Sequence, residues 1–178
     1  MRHNLDKDRL TEFFRRLGHS ARTPGNCYLT GGATAVWHGW RETTIDVDLK
    51  LDPEPGGVFE ALAALKGELQ INIELASPEL FIPELKDWRS RSSFIGTFGR
   101  VSFFHYDYIA QALAKLERGH AQDLFDVHMM FSSNLVTQDA LLRELENIKA
   151  ALSRYPAIDP EDFVRRVNEF LSSESAEP

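Results

Sequence analysis

Thr44-Ile45-Asp46-Val47-Asp48-Leu49-Lys50 alternates strictly between apolar and polar residues. As a strand it directs Ile45, Val47 and Leu49 to one face and Thr44, Asp46, Asp48 and Lys50 to the other. The two carboxylates then share a face at a spacing where they repel each other, and Asp is a poor strand former. Strand stability gains nothing from this pair, whereas a divalent cation shared by its oxygens relieves the repulsion. The stretch therefore predicts a strand over 44–51 that carries half of a metal site.

The flanking sequence supplies the frame. Downstream, Asp52-Pro53-Glu54-Pro55-Gly56-Gly57 breaks the strand, and Val58 to Leu65 has helical spacing that closes near Gly67. Leu69 to Leu75 alternates again, with Ile71, Ile73 and Leu75 on one face and Asn72 and Glu74 on the other. Upstream, residues 5–17 place apolar side chains at helical spacing, with Gly18 as the stop. Cys27 to Thr30 reads as a short buried strand that runs into Gly31-Gly32, and Ala33 to Gly39 as a helix. Residues 79–92 have no regular pattern. Phe94–Thr97 and Arg100–His105 form a hairpin turning at Phe98-Gly99.

Beyond Tyr106 the pattern is helical. Asp107 caps a helix running to Glu117 or Arg118, a second spans about 121–131 and a third about 138–152. Asp159-Pro160-Glu161-Asp162 opens a fourth, with Pro at the first helical position. The expected fold class is α+β. Residues 1–106 form a mixed sheet of about four or five strands flanked by helices, residues 107–173 form a C-terminal helical bundle packed on it, and 174–178 form a flexible tail.

Composition narrows the function. The 178 residues carry a net charge of −7, which argues against broad nonspecific binding to nucleic acid and leaves room only for a local basic groove. One cysteine, Cys27, excludes an internal disulfide framework. The N-terminus is charged without an apolar signal core, and no apolar run approaches the ~20 residues that span a bilayer. The expectation is a cytoplasmic protein with no membrane partner.

Three further features fall into line with the aspartates. Gly31-Gly32 joins a strand to a helix, where side-chain-free backbone N–H groups can approach a phosphate and the helix N-terminus favours negative charge. By itself such a turn is ordinary strand-to-helix geometry. Glu74 lies on the polar face of a separate strand and can join Asp46 and Asp48 if the two strands are neighbours. Its bland alternative is a solvated strand residue. Lys115 and Arg118 share one helix face, and Asp123 and Asp126 share a face of the next; taken alone these are surface charges.

Leu29-Thr30-Gly31-Gly32, Asp46-Val47-Asp48 and Ile73-Glu74-Leu75 together resemble the nucleotidyltransferase superfamily of the DNA-polymerase-β type. The resemblance covers about residues 26–130. More narrowly, the chain is similar to small bacterial proteins near the toxins of AbiEii/MenT-type toxin–antitoxin systems. The matching residues there are Arg41-Glu42-Thr43-Thr44 before the aspartates, Lys115 on a helix, and Gln122-Asp123-Leu124-Phe125-Asp126 after it. Ala33 and Gln122 depart from the toxins, which often carry a hydroxyl residue and a basic residue at these places.

The resemblance implies a nucleotidyltransferase-like sheet and transfer of a nucleoside monophosphate from an NTP to an acceptor hydroxyl. It implies Mg²⁺ or Mn²⁺ on Asp46, Asp48 and Glu74, with Glu74 able to accept a proton. Gly31 and Gly32 face the triphosphate, Thr44 orients Asp46, and Arg41 belongs to the nucleotide-binding set. Lys115 and Arg118 neutralise phosphate charge, and Asp123 orients Lys115 or touches the nucleotide. RNA, with the tRNA 3′ end as in the toxin branch, and protein hydroxyls are both compatible acceptors; a cognate antitoxin is the implied partner. Two competing classes are a non-catalytic, antitoxin-like or partner-binding protein on the same fold and an Asp-x-Asp glycosyltransferase. The latter fold ordinarily needs a longer chain. The six histidines show no zinc spacing.

Overall fold

A computed structural model of the chain describes residues 4–175. Among them are five strands and eight α-helices, divided between two units. The first holds the described residues up to Ser77 together with Ser92–Tyr106; the second holds Pro78–Arg91 and the described residues from Asp107 onward.

The first unit contains α1 (Lys7–Ser20), β1 (Gly25–Thr30), α2 (Gly31–His38), β2 (Asp46–Leu51), α3 (Val58–Glu68), β3 (Asn72–Leu75), β4 (Ser93–Phe98) and β5 (Val101–His105). Its strands form one mixed sheet in the order β3-β2-β1-β5-β4. β1 is antiparallel to β2 and parallel to β5, β2 is parallel to β3, and β4–β5 is the expected hairpin. The parallel β2–β3 pair requires a crossover, which α3 supplies.

Asp6 caps α1, its carboxylate accepting from Arg9 N at 2.9 Å. The helix begins at Lys7 because Leu5 pairs instead with Thr44 in an isolated antiparallel bridge. Leu10, Phe13, Phe14 and Leu17 recur at helical spacing and are fully buried. The Phe14 ring stacks on Phe103 of β5 at 4.3 Å between centroids, and Val47, Leu49 and Leu29 join the same core. β2 enters the sheet only at Asp46, so Ile45, read from the alternation as an inward residue, stays 63% exposed.

Gly18 is not a helix stop. α1 continues through it to Ser20, and the glycine instead admits the β4–β5 turn, since a Cβ there would collide with the Phe98 carbonyl. The Gly18 carbonyl accepts from Arg100 N at 3.0 Å, and Gly99 turns the hairpin with a φ of 57°.

The second unit contains a 3-10 turn (Pro78–Leu80), α4 (Trp88–Arg91), α5 (Tyr108–Arg118), α6 (Ala121–Ser132), α7 (Gln138–Lys149), a second 3-10 turn (Leu152–Arg154) and α8 (Pro160–Glu174). Segment 78–91, without a regular pattern in the sequence, buries Ile82, Leu85 and Trp88. Arg91 donates from Nε and a terminal nitrogen to Asp107 Oδ2 at 2.9 and 2.7 Å, while Asp107 Oδ1 caps α5 through Ile109 N at 3.1 Å. Burial pushes the Asp107 carboxyl above its ordinary range although Arg91 pulls the other way. α8 reaches Glu174, which meets His128 Nδ1 at 2.9 Å. Of the expected tail, 176–178 lie outside the described residues. No helix among the described residues is long and apolar enough to cross a membrane.

Gly18→Ala is expected to cost about 2 to 3 kcal/mol in urea unfolding, because a backbone carbonyl must retreat. Helix propensity alone would make the same change stabilising by about 1 kcal/mol, so the sign of the shift decides between the two effects. A second test concerns His105, which is 3% exposed and whose Nδ1 lies 3.2 Å from Thr34 Oγ1. Burial, then the charges of His38 and Lys7, lower its pKa to about 3 from 6.5. The unfolded chain takes up this proton first, so the neutral ring's contribution is complete above pH 6.5 and is lost as pH falls towards 3. Unfolding free energy should fall by about 2 kcal/mol between pH 7 and 5 on this account, and His105→Gln should flatten that slope.

Candidate active site

The register of three adjacent strands builds the site. Thr30 of β1 pairs with Asp48 of β2, and Asp48 pairs with Glu74 of β3. One step along, Asp46 pairs with Asn72. Residues paired across strands share a face, as do residues two apart, so Asp46, Asp48, Asn72 and Glu74 occupy one face of β2–β3. Asp46 and Asp48 are half-buried, and Glu74 is exposed.

Asn72 ties two of the acids together. Its Nδ2 donates to Asp46 Oδ1 at 2.6 Å and to Glu74 Oε1 at 2.8 Å. Only the amide nitrogen can face two carboxylate oxygens, which fixes the amide's orientation. At 7% exposure this is a buried polar side chain using both of its N–H bonds on charged acceptors. The sequence placed Asn72 on the acidic face without giving it a role. The available signal was the match between Asn72-Ile73-Glu74 and Asp46-Val47-Asp48, which gains meaning only once the two strands are known to pair.

The Gly31-Gly32 turn adjoins this face. α2 starts at Gly31, whose φ of 60° suits glycine. A Cβ on Gly31 would lie 2.5 Å from Asp48 Oδ2. On Gly32 it would collide with Thr44 Oγ1 and approach an Arg41 guanidinium nitrogen at 3.6 Å. The two glycines thus bring bare backbone against Asp48, Thr44 and Arg41. Thr44 Oγ1 donates to the Asp46 carbonyl at 3.3 Å, so it steadies the aspartate through the main chain. Thr30, at the cap position of α2, gives its hydroxyl to the Ala76 carbonyl at 3.2 Å instead of to the helix.

Among the described residues, no three His, Cys, Asp or Glu side chains form a group that could hold a metal ion. The donor chemistry is nonetheless of the kind that Mg²⁺ or Mn²⁺ takes: hard carboxylate oxygens on one face, half-buried and adjacent in register.

Lys115, Arg118 and Asp123 belong to the second unit and meet one another there. Lys115 Nζ donates to Asp123 Oδ1 at 3.1 Å and to Asp126 Oδ2 at 2.6 Å. Arg118 reaches Asp123 with two nitrogens, at 3.1 and 2.7 Å. The Lys115 side chain is 4% exposed and that of Asp126 0%, so each charge needs its partner close by. Burial opposes the charge on Asp123, but Arg118 and Lys115 outweigh it and hold the carboxyl below its ordinary range. Asp123 contacts Lys115, and Asp126, its helix-face neighbour, makes the shorter contact.

No known protein family matches the chain, and no characterised protein or solved structure is significantly similar to it.

Lys115→Met is expected to destabilise the protein by about 3 kcal/mol in urea unfolding, because the ammonium is withdrawn from a buried carboxylate. Its cost should shrink as pH falls below the ordinary carboxylate value of 3.8. Below that value the unfolded chain takes up the Asp123 proton first, and the stability that its pairing with Lys115 gives the parent protein is lost as pH falls on through the lowered value of the folded state.

Proposed function

We propose that this chain is a metal-dependent nucleotidyltransferase that moves a nucleoside monophosphate from an NTP to an acceptor hydroxyl. The observation that carries the proposal is the β2–β3 register, which sets Asp48 opposite Glu74 and Asp46 opposite Asn72 beside the Gly31-Gly32 turn. Acidic side chains crowded on a sheet face weaken the fold unless something positive is placed among them. Asp46, Asp48 and Glu74 would hold Mg²⁺ or Mn²⁺. A cation bound there neutralises phosphate charge and lowers the pKa of the attacking hydroxyl.

The remaining roles fall to the chain's own groups. Gly31 and Gly32 offer close backbone approach at a helix N-terminus, which favours the triphosphate. Arg41, beside Gly32, adds a fixed positive charge for it. Glu74, the most exposed of the three acids, accepts the proton from the acceptor hydroxyl. The acceptor oxygen then bonds to the α-phosphorus, the bond to the β-phosphate bridging oxygen breaks, and pyrophosphate leaves. Lys115 and Arg118, to which the resemblance gives phosphate neutralisation, are engaged by Asp123 and Asp126 within the second unit. The acceptor is an RNA such as the tRNA 3′ end, or a protein hydroxyl, and the physiological setting is that of a toxin held by a cognate antitoxin.

The test is incubation of the purified protein with labelled NTPs, Mg²⁺, and total RNA or total protein. Label is expected in one of the two pools and identifies the acceptor class. Asp46→Ala and Asp48→Ala are each expected to lower transfer about a hundredfold or more. Without metal the thermal midpoint of Asp48→Ala stays level or rises, since a repelling charge has been removed, whereas that of Asp46→Ala falls because the buried Asn72 amide loses an acceptor. Transfer that survives both substitutions would refute the assignment.

A further inference from the structure

We infer that the Asn72 amide is a built-in stand-in for the cation: it holds Asp46 and Glu74 in a metal-free arrangement and has to be displaced when the ion binds. This rests on the nucleotidyltransferase reading and concerns the same face of the sheet. One nitrogen serves both acids, at 2.6 and 2.8 Å. The two hydrogens of an amide nitrogen can each serve one oxygen, so the nitrogen stands between Asp46 and Glu74.

A cation bridging Asp46 Oδ1 and Glu74 Oε1 would take the place that the amide nitrogen holds between them, so the amide and the ion exclude each other there. Asn72 is 7% exposed and sits directly opposite Asp46 in the strand pairing, so the bridge is fixed by the backbone register. Its N–H groups carry partial positive charge to the place where the acids repel. Asn72 is thus a positioning residue that steadies the site without metal and sets how tightly metal is held.

Calorimetric titration of Mn²⁺ and of Mg²⁺ into the wild-type protein, Asn72→Leu and Asn72→Ala tests this. Both variants keep the three acids and remove the donor. Because the bridge favours only the metal-free state, each variant is expected to bind Mn²⁺ about ten- to a hundredfold more tightly than wild type. Each should also melt at a lower temperature without metal and gain more on saturation with it. A residue that merely orients the ligands would give the opposite result, weaker binding by about ten- to a hundredfold, and that outcome or equal affinity overturns the inference.

A measurement on the unmodified protein keeps the test decisive if the variants fail to fold. In a ¹⁵N-labelled sample the Asn72 side-chain NH₂ signals should be protected from exchange without metal and should shift and lose protection on Mg²⁺ saturation. Signals unmoved by saturating Mg²⁺ overturn the inference alone. A wild-type protein that binds neither ion overturns the inference together with the nucleotidyltransferase reading.

Discussion

The pairing of β2 with β3 fixes where every acidic side chain of the candidate site can go. Strand side chains alternate with a period of two, so a slip of one residue would turn Glu74 and Asn72 to the opposite face and leave Asp46 and Asp48 without neighbours. The register is held from below. Val47 and Leu49 are fully buried, and Ile73 packs against the same core. It is held at the strand end as well, where Thr30 of β1 bonds the Ala76 carbonyl just past β3. Hydrophobic burial on one face thus determines electrostatics on the other, and the acids tolerate their closeness because β2 and β3 cannot slide to relieve it.

Charge is balanced in two different ways in the chain. In the second unit, Lys115 and Arg118 balance Asp123 and Asp126 with full opposite charges. In the first, Asp46 and Glu74 share a neutral amide, which offers partial charge only. Hydrogen bonds from a neutral donor compensate two carboxylates less fully than a cation does. This difference separates a group that reads as architecture from one that retains an appetite for positive charge.

Much of this was legible in the sequence because it depends on local periodicity. Asp46-Val47-Asp48 and Asn72-Ile73-Glu74 each declared a polar strand face, and Asp159-Pro160 and Asp107 each declared a helix start that the caps realise. The parts that escaped depend on contacts distant in sequence. Gly18 looked like a helix terminator because glycine commonly is one; only the approach of the Phe98 carbonyl reveals its use. Ile45 looked inward because the alternation was extended one residue beyond the point where strand pairing starts. Asn72 carried no charge to attract notice, and its role needs the knowledge that residue 46 lies across from it.

The route of the chain between its two units has a practical meaning. The backbone leaves the sheet unit after Ser77, spends Pro78–Arg91 with the helices, returns for β4 and β5, and departs again after Tyr106. Three crossings mean that no single cut separates the units. A fragment ending at Tyr106 would keep all five strands but strand Trp88, Ile82 and Leu85 without the helices they are buried among, as a greasy loop in the middle of an otherwise whole sheet. Dissecting this protein therefore calls for replacing the 78–91 excursion with a short polar bridge between β3 and β4, since that excursion belongs with the helices.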